Sequence, residues 1–400
     1  MAGAKEGEFA ELISPFLKKK MVGIESKYGW GSNEWNAIAL QYLKSPLEDN
    51  VVSNDRRRHY ESDLQAYHEG KLLRGVERLY KRTILIEPTT ACASHCRWCL
   101  RGQYPIKTLT KEDITLIAKY VGQSPDCVDV EEVLVTGGDP FMHPKLLRTT
   151  IEALSAYAPN VDTVRIGTRM PFQSPERVND ELLSILAEAP QRIEVAINVN
   201  HPLEFWAEST DSLARLLTVG VRIYNQNPLL KGVNDQSAIL TELYDTLRKL
   251  GIESHYLFHA IPMVGMSHHR TSVAKGLQLA QRLCSSGGFS GRSKPHFALL
   301  SDIGKVVLYE GSILKRRPSD NSLLIQTGYR PEDRRRWNPS WSLPDSVEIA
   351  DDGFMAVWYR DGTDENIDLA DYWGQSSVRE PSDDNSGFDP DARQPQIGRS

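Results

Sequence analysis

The chain has 400 residues and a formal net charge of −6, with 25% charged and 40% apolar residues. This composition is typical of globular proteins, and the acidic balance gives no support for a nucleic-acid partner. No apolar run approaches the roughly 20 residues that a membrane span needs, and the first residues lack the apolar core of a secretory signal, which predicts a cytoplasmic protein with no membrane partner.

Residues 1–80 are predicted to form an N-terminal helical segment. One helix is expected within residues 30–45, with its N-terminus capped by Ser32 or Asn33. A second helix is expected over residues 59–80, because the period-two alternation of strands is missing there.

Residues 81–310 are predicted to form an α/β domain, a partial (β/α)6 TIM-like barrel. Six strand-like segments alternate with helical segments from residue 83 onward. Each unit has about 30 residues, as parallel βαβ repeats require, and six units are fewer than the eight of a complete barrel. The six segments are TILIEP, EEVLVTG, VDTVRIGT, RIEVAINVN, RIYNQNP and SHYLFHAI.

The end of the chain differs from the barrel in composition. Residues 311–374 are predicted to be a C-terminal extension that packs on the barrel. Residues 375–400 contain few large apolar residues and many Ser, Asp, Pro and Gln, which predicts a disordered tail.

Three cysteines follow the first predicted barrel strand. Cys92, Cys96 and Cys99 have the spacing C-x3-C-x2-C, at the end of the strands where barrels of this type build their active sites. Three thiolates can hold three irons of a [4Fe–4S] cluster and leave the fourth iron open to another ligand. The alternative is a structural zinc site, for which His95 would be the fourth ligand, with awkward geometry. Two other cysteines belong to no such motif: Cys127 and Cys284.

The segment CASHCRWCLR resembles the radical SAM signature, and further blocks resemble those of lysine 2,3-aminomutase and its relatives, in the same order. The blocks are TGGDP (136–140), RIGTR (165–169), NVNHP (198–202), NQNPLLKGVND (225–235) and HHRTSVAKG (268–276). The resemblance implies a cluster that binds S-adenosyl-L-methionine (SAM), often with pyridoxal 5′-phosphate (PLP). It also implies a small-molecule substrate and an electron donor such as flavodoxin or ferredoxin; a homo-oligomer is compatible with the sequence.

The resemblance assigns SAM contacts to the ends of several strands. Gly137 and Gly138 would let backbone groups approach the methionine amino group of SAM, and Asp139 would shape the turn. The alternative is a tight strand-to-helix turn without a ligand. His201 and Gln226 would lie near the adenosine or sulfonium part of SAM, but could equally be structural polar residues.

An arginine beside the cysteines has an implied role in substrate binding. In the aminomutases the position of Arg101 holds the α-carboxylate of the substrate. A planar guanidinium suits this role because it can give a carboxylate two hydrogen bonds. The alternative is a surface arginine.

The resemblance also implies a PLP site. Lys305 lies near the position of the Schiff-base lysine, and Arg78 and Arg82 correspond to arginines that bind the cofactor phosphate. The chain departs from the family here, because residues 302–304 replace a longer glycine-rich loop. The alternative is a lysine in an ordinary turn at the end of a strand.

The positions that read the substrate side chain differ from the family. Ile261 and Leu300 occupy the places of two aspartates that bind the distal ammonium of lysine. A buried ammonium left unpaired would cost several kcal/mol, so we expect an uncharged side chain in this pocket.

Together these features predict an enzyme that cleaves SAM to a 5′-deoxyadenosyl radical and rearranges an amino acid. The form predicted first is a PLP-dependent 2,3-aminomutase, an isomerase, acting on a substrate other than L-lysine. One alternative is a PLP-independent radical SAM enzyme on the same scaffold, catalysing elimination, epimerisation or another rearrangement. The other is a non-catalytic metal-binding scaffold protein.

Overall fold

The computed structural model describes residues 10–49, 66–99, 107–285, 294–309 and 311–366. Its N-terminal segment begins with two helices, α1 (Pro15–Tyr28) and α2 (Asn33–Tyr42). Each begins at a serine whose side chain accepts a hydrogen bond from a backbone N–H in the first turn, Ser14 for α1 and Ser32 for α2. The predicted cap of α2 is therefore confirmed at Ser32.

The helix predicted over residues 59–80 is wrong in the part that the structure describes. Three two-residue strands occur there instead: β1 (Tyr67–His68), β2 (Lys71–Leu72) and β3 (Val76–Glu77). β1 and β2 are antiparallel and are joined by Glu69 and Gly70, whose φ angles are 49° and 74°. Two consecutive residues with positive φ form a hairpin turn, and a right-handed helix cannot contain them.

Nine strands form the largest sheet. After β3 these are β4 (Thr83–Thr89), β5 (Glu132–Gly137), β6 (Thr163–Thr168), β7 (Arg192–Ile197), β8 (Arg222–Leu229), β9 (Glu253–His259), β10 (His296–Ser301) and β11 (Gly304–Val307). Their order in the sheet follows the chain, from β3 at one edge to β11 at the other. β4 to β10 are parallel, whereas β3 and β11 pair antiparallel to their neighbours. The predicted partial barrel is confirmed, and β10 adds a seventh parallel strand.

Helices connect the parallel strands and cover the sheet. They are α3 (Lys111–Gln123), α4 (Pro144–Tyr157), α5 (Met170–Gln173), α6 (Asp180–Ala187), α7 (Ala207–Thr218), α8 (Ser237–Lys249) and α9 (Val273–Ser285). α3 begins with a capping box, in which Thr110 and Asp113 each accept a hydrogen bond from the other's backbone N–H. Within the described ranges, no helix is both long enough and apolar enough to cross a membrane.

A second sheet follows the barrel. It contains β12 (Ile313–Arg317), β13 (Ser322–Gln326), β14 (Val347–Ile349) and β15 (Met355–Arg360), with helix α10 (Pro331–Trp337) between β13 and β14. The strands are antiparallel in the order β12-β13-β15-β14. Leu323, Ile325 and Val357 of this sheet belong to the same buried apolar cluster as the barrel strands. The predicted tail, residues 375–400, lies outside the described residues.

Candidate functional site

A cavity of about 320 Å³ opens where the parallel strands of the barrel end. Its lining includes residues of the cysteine loop after β4, of the TGGD turn after β5, and of β6 to β11. Cys92, Cys96 and Cys99 all line it, and so does Lys305 of β11. The order of the strands in the sheet thus brings together residues that are more than two hundred positions apart in the chain.

Cys96 is the most buried of the three cysteines. Its side chain is buried, and its Sγ accepts hydrogen bonds from Nη1 of Arg169 at 3.1 Å and from Nε2 of Gln173 at 3.3 Å. Two N–H donors suit a thiolate, which is the form that binds iron. In the described part of the chain, the cysteines share a cavity but are not arranged as a converged set of metal ligands.

The donor set fits an iron–sulfur cluster better than a structural zinc site. Three thiols in one cavity match a cubane with one open iron. His95, the fourth ligand of the zinc alternative, lines the same cavity, but its Nδ1 is hydrogen-bonded to the carbonyl of Ala10 at 2.8 Å. Burial lowers the pKa of this histidine.

The N-terminal segment holds the cysteine loop through buried polar contacts. The N–H of Ser14 donates to Oγ of Ser94 at 2.9 Å, and the N–H of His95 donates to the carbonyl of Leu12 at 2.8 Å. The guanidinium of Arg97 forms an ion pair with Glu48, with Nε 2.8 Å from Oε1. This support was not predicted, because it joins residues that are distant in the sequence.

Arg169 lies at the centre of a buried polar network. Its Nη2 donates to Oε2 of Glu204 at 2.5 Å and to Oε1 of Gln41 at 3.1 Å, while its Nε donates to the carbonyl of Asn198 at 3.0 Å. Its Nη1 donates to Sγ of Cys96, and its guanidinium also lies over the rings of Tyr42 and Trp98. The block RIGTR marked this position in the sequence, but its role was not predicted.

The predicted SAM turn packs directly against the cysteine loop. The N–H of Gly138 donates to the carbonyl of Thr89 at 2.7 Å, and the N–H of Asp139 donates to the carbonyl of Ala91 at 2.9 Å. Gly137 has a φ of 104°, where a side chain would be strained. The three residues 137–139 line the cavity.

The Asp139 carboxylate fixes the start of the next loop. It accepts hydrogen bonds from Oγ1 of Thr168 at 2.8 Å, from the N–H of Arg169 at 2.8 Å and from the N–H of Phe141 at 3.0 Å. Burial raises the pKa of Asp139, and these hydrogen bonds oppose the rise. The carboxylate therefore links the SAM turn to the segment that carries Arg169.

The two other predicted SAM residues differ in position. Gln226 lines the cavity, and its carbonyl accepts a hydrogen bond from Nδ2 of Asn198, a further lining residue, at 2.8 Å. His201 is not among the described lining residues; its Nδ1 accepts the N–H of Leu203 at 3.2 Å. Burial lowers the pKa of His201 to about 4, so its ring is neutral at pH 7.

Lys305 extends into an aromatic part of the cavity. Its Nζ lies 4.2 Å from the ring centroid of Tyr256 and 5.6 Å from those of Tyr80 and Phe258. Burial, together with repulsion from Arg165, lowers the pKa of Lys305 to about 7. An amine with this pKa is substantially neutral at pH 7 and can act as a nucleophile.

The two arginines predicted to bind a phosphate do not line this cavity. Arg78 is buried, and its guanidinium donates to Sγ of Cys127 at 3.3 Å and to the carbonyl of Asp126 at 2.9 Å. Arg82 is exposed and forms an ion pair with Glu131. The structure therefore does not bring either guanidinium together with Lys305.

The predicted side-chain pocket is apolar. Ile261 and Leu300 both line the cavity and form one cluster with Met263 and Met266. Two carboxylates occur among the described lining residues, Glu77 and Asp139, the latter held by the three donors above. Arg101, the predicted carboxylate ligand, lies outside the described residues and stays a prediction.

The chain is similar to known radical SAM proteins. A family model described as "Radical SAM superfamily" matches residues 86–265. A protein of Aquifex aeolicus named "Putative L-lysine 2,3-aminomutase" is 32% identical over 274 residues, which cover 67% of this chain and 72% of that protein. The "L-lysine 2,3-aminomutase" of Acetoanaerobium sticklandii is 31% identical over 226 residues, 56% of this chain and 54% of that enzyme, so the chain spans about half of its length.

A solved structure, a radical SAM methyltransferase from Sphaerobacter thermophilus, is more distant. It has a TM-score of 0.44 and 20% identity, and the match covers 56% of this chain and 68% of that one.

Proposed function

Because this chain belongs to the lysine 2,3-aminomutase family of radical SAM enzymes, we propose that it is an amino-acid 2,3-aminomutase acting on a substrate other than L-lysine. The observation that carries the proposal is the shared cavity. It holds three cysteines suited to a cluster and a buried lysine with a pKa near 7, in one space at the ends of the barrel strands.

The cysteine end of the cavity would hold the cluster and SAM. Cys92, Cys96 and Cys99 would bind three irons, and the close approach of the TGGD turn would leave room for the amino acid part of SAM. When bound, this pair supplies a radical that can abstract hydrogen from an unactivated carbon. Gln226 lines the cavity and would contact SAM directly. His201 does not line the cavity and would only stabilise the loop after β7.

The end of the cavity that holds Lys305 would bind PLP. When bound, PLP supplies a group that can carry the amino nitrogen of the substrate while it migrates. The neutral amine of Lys305 can attack an aldehyde, and the rings of Tyr80, Tyr256 and Phe258 provide flat apolar surfaces beside it. The phosphate has no assigned partner, since Arg78 and Arg82 do not reach the cavity. We therefore propose a partner only for the aldehyde of PLP, and that partner is Lys305.

The substrate would be bound at both ends. Arg101 would hold its α-carboxylate, and Ile261 and Leu300 would contact its side chain. An apolar wall cannot compensate a buried ammonium, so amino acids with uncharged side chains should be better substrates than L-lysine. Robust turnover of L-lysine would contradict this and would point to Glu77 as the group that reads the ammonium. A flavodoxin-like or ferredoxin-like protein would supply the electron.

One observation favours a second candidate. Since neither predicted phosphate-binding arginine lines the cavity, a PLP-independent radical SAM enzyme on the same scaffold is the alternative. In that enzyme Lys305 would bind the substrate directly, as a base or a hydrogen-bond donor.

The decisive experiment is borohydride reduction after incubation with PLP, followed by peptide mass analysis. We expect a pyridoxyl group on Lys305 that is lost in Lys305→Ala. Lys231→Ala is the matched control, because burial lowers the pKa of Lys231 too, yet this lysine lies outside the cavity lining. An adduct on another lysine would reject the role of Lys305, and no adduct at all would support the PLP-independent enzyme.

Replacing any one of Cys92, Cys96 and Cys99 with Ala should abolish the cluster, because each would supply one of three protein ligands. Iron and sulfide analysis and the absorption spectrum of anaerobically purified protein measure this directly. Cys127→Ala and Cys284→Ala are the controls and should keep the cluster. An intact cluster in Cys96→Ala would reject the proposed site.

A further inference from the structure

Two N–H donors from one short helical turn converge on a single cysteine sulfur. Arg169 is the N-cap of α5 and Gln173 is its last residue, so the two side chains lie four positions apart and emerge on the same side. Arg169 Nη1 and Gln173 Nε2 lie 3.1 and 3.3 Å from Sγ of Cys96. Both side chains are buried, as is the sulfur.

The donors are held in place by the N-terminal segment and by the loop after β7. Gln41 accepts from Nη2 of Arg169, and it donates to Oε1 of Glu204, 3.3 Å away, while Glu204 itself accepts from Arg169. The hydroxyl of Ser14 donates to the backbone carbonyl of Gln173, fixing the end of α5. These contacts hold both N–H groups against the Cys96 sulfur.

We propose that Arg169 and Gln173 are positioning residues that raise the reduction potential of the cluster by hydrogen bonding to Cys96. Reduction adds one electron, supplied by the external donor protein, and part of the added negative charge lies on the cysteine sulfur. N–H dipoles and a guanidinium charge directed at that sulfur stabilise the reduced form more than the oxidised form. Burial strengthens the effect, because little water screens it.

The inference rests on the cluster of the proposed function but not on its substrate or on PLP. The reduction potential can be measured without any aminomutase turnover. If the proposed substrate is wrong, the proposal about the reduction potential still stands. If the protein binds no cluster, the proposed function and the proposal about the potential both fail.

The test is a redox titration followed by electron paramagnetic resonance, on the wild type and Gln173→Met. Methionine fills a similar volume but has no N–H to donate. We expect an unchanged iron content and a midpoint potential shifted to more negative values. SAM cleavage should become slower with a weak reductant and should recover with a stronger one, which a merely structural defect would not do.

Gln191→Met is the matched control. Gln191 is also a buried glutamine, but it precedes β7, at the opposite end of the strands from the cysteines. The Gln191→Met variant should have the same midpoint potential as the wild type.

A second variant, Gln173→Glu, keeps the shape of the side chain while replacing the donor with a carboxylate. It should shift the potential in the same direction, and further than methionine does. An unchanged potential in either variant with full iron content would overturn the proposal. Failure of both variants to assemble a cluster would overturn it too, because Gln173 would then serve assembly and not the potential.

Discussion

Gly138 has no room for a side chain. A Cβ at this position would lie 2.2 Å from the carbonyl oxygen of Ala91 and 2.4 Å from the carbonyl carbon of Thr90, both backbone atoms of the cysteine loop. Gly138→Ala should therefore push the SAM turn away from the loop, at a cost of about 1–3 kcal/mol in stability. We expect a lower unfolding temperature and weaker SAM binding by equilibrium dialysis. Gly328→Ala, where a Cβ meets no atom within 4 Å, should change neither, and equal effects in both variants would contradict the steric argument.

The lowered pKa of Lys305 gives a pH profile that can be measured. Attack on an aldehyde needs the neutral amine, whose fraction rises with pH up to the pKa and then levels off. Burial lowers that pKa from 10.5 to about 7, so the rate at which the amine condenses with the PLP aldehyde, with loss of water, should rise through neutral pH and be flat above it. Stopped-flow absorbance of the PLP band measures this rate. A rate that still rises well into the alkaline range would show that the amine has an ordinary pKa.

At the residue scale, the sequence could single out candidates that are adjacent in the chain. The three cysteines and the glycines of the TGGD turn stand out through local spacing, and the structure places them on one cavity. The donors to Cys96 were not recognisable, since Arg169 and Gln173 follow it by 73 and 77 positions and reach it only through the packing of the barrel.

At the scale of elements, a buried ion pair joins the turn after the N-terminal helices to the cysteine loop. The side chain of Arg97 is fully buried and that of Glu48 is 12% exposed. Glu48→Ala would remove a carboxylate paired with this buried guanidinium, at a cost of about 3–5 kcal/mol. Denaturant unfolding measures this loss, and we expect iron content to fall with it because Arg97 follows Cys96 directly.

The control for this prediction is Glu208→Ala. It breaks the ion pair with Lys20, in which the glutamate side chain is 51% exposed, and such a pair contributes about 1 kcal/mol or less. A similar loss of stability in both variants would mean that burial does not make the Arg97 pair more stabilising than an exposed pair.

The barrel elements could be predicted because each strand is a short apolar run with a strong helical pattern after it. The segment 66–80 could not, because its helix-like composition conceals the turn at Glu69 and Gly70, where the backbone φ is positive at both residues. A glutamate in that conformation has no sequence signature, so the tertiary contacts of β3 with β4 decide the outcome.

For the whole molecule, the C-terminal sheet shares the core of the barrel. Arg334 donates to the carbonyl of Arg78 at 3.1 Å, and Nε2 of His259 is 2.8 Å from the carbonyl of Thr271 while its Nδ1 is 2.8 Å from the hydroxyl of Tyr359. A chain ending at residue 310 would expose the apolar barrel residues that share a cluster with the C-terminal sheet. It should lose cooperative thermal unfolding and bind a hydrophobic dye.

A chain ending at residue 374 is the control, because the sequence predicts that residues 375–400 add nothing to the core. It should unfold at the same temperature as the full chain. A cooperative transition in the shorter chain would show that the barrel folds without the extension. The sequence predicted the packing of this region but not its four strands, which are short and, in β12, mostly exposed.

The contacts of the cysteine loop also define what could be moved to another protein. Ser14, Gln41 and Glu48 belong to the first two helices and the turn after them, yet they support the loop and the network around Arg169. A barrel excised without these helices and grafted onto a new scaffold would carry every predicted cluster ligand but none of this support. The smallest portable unit of this enzyme therefore begins before the barrel does, near residue 10.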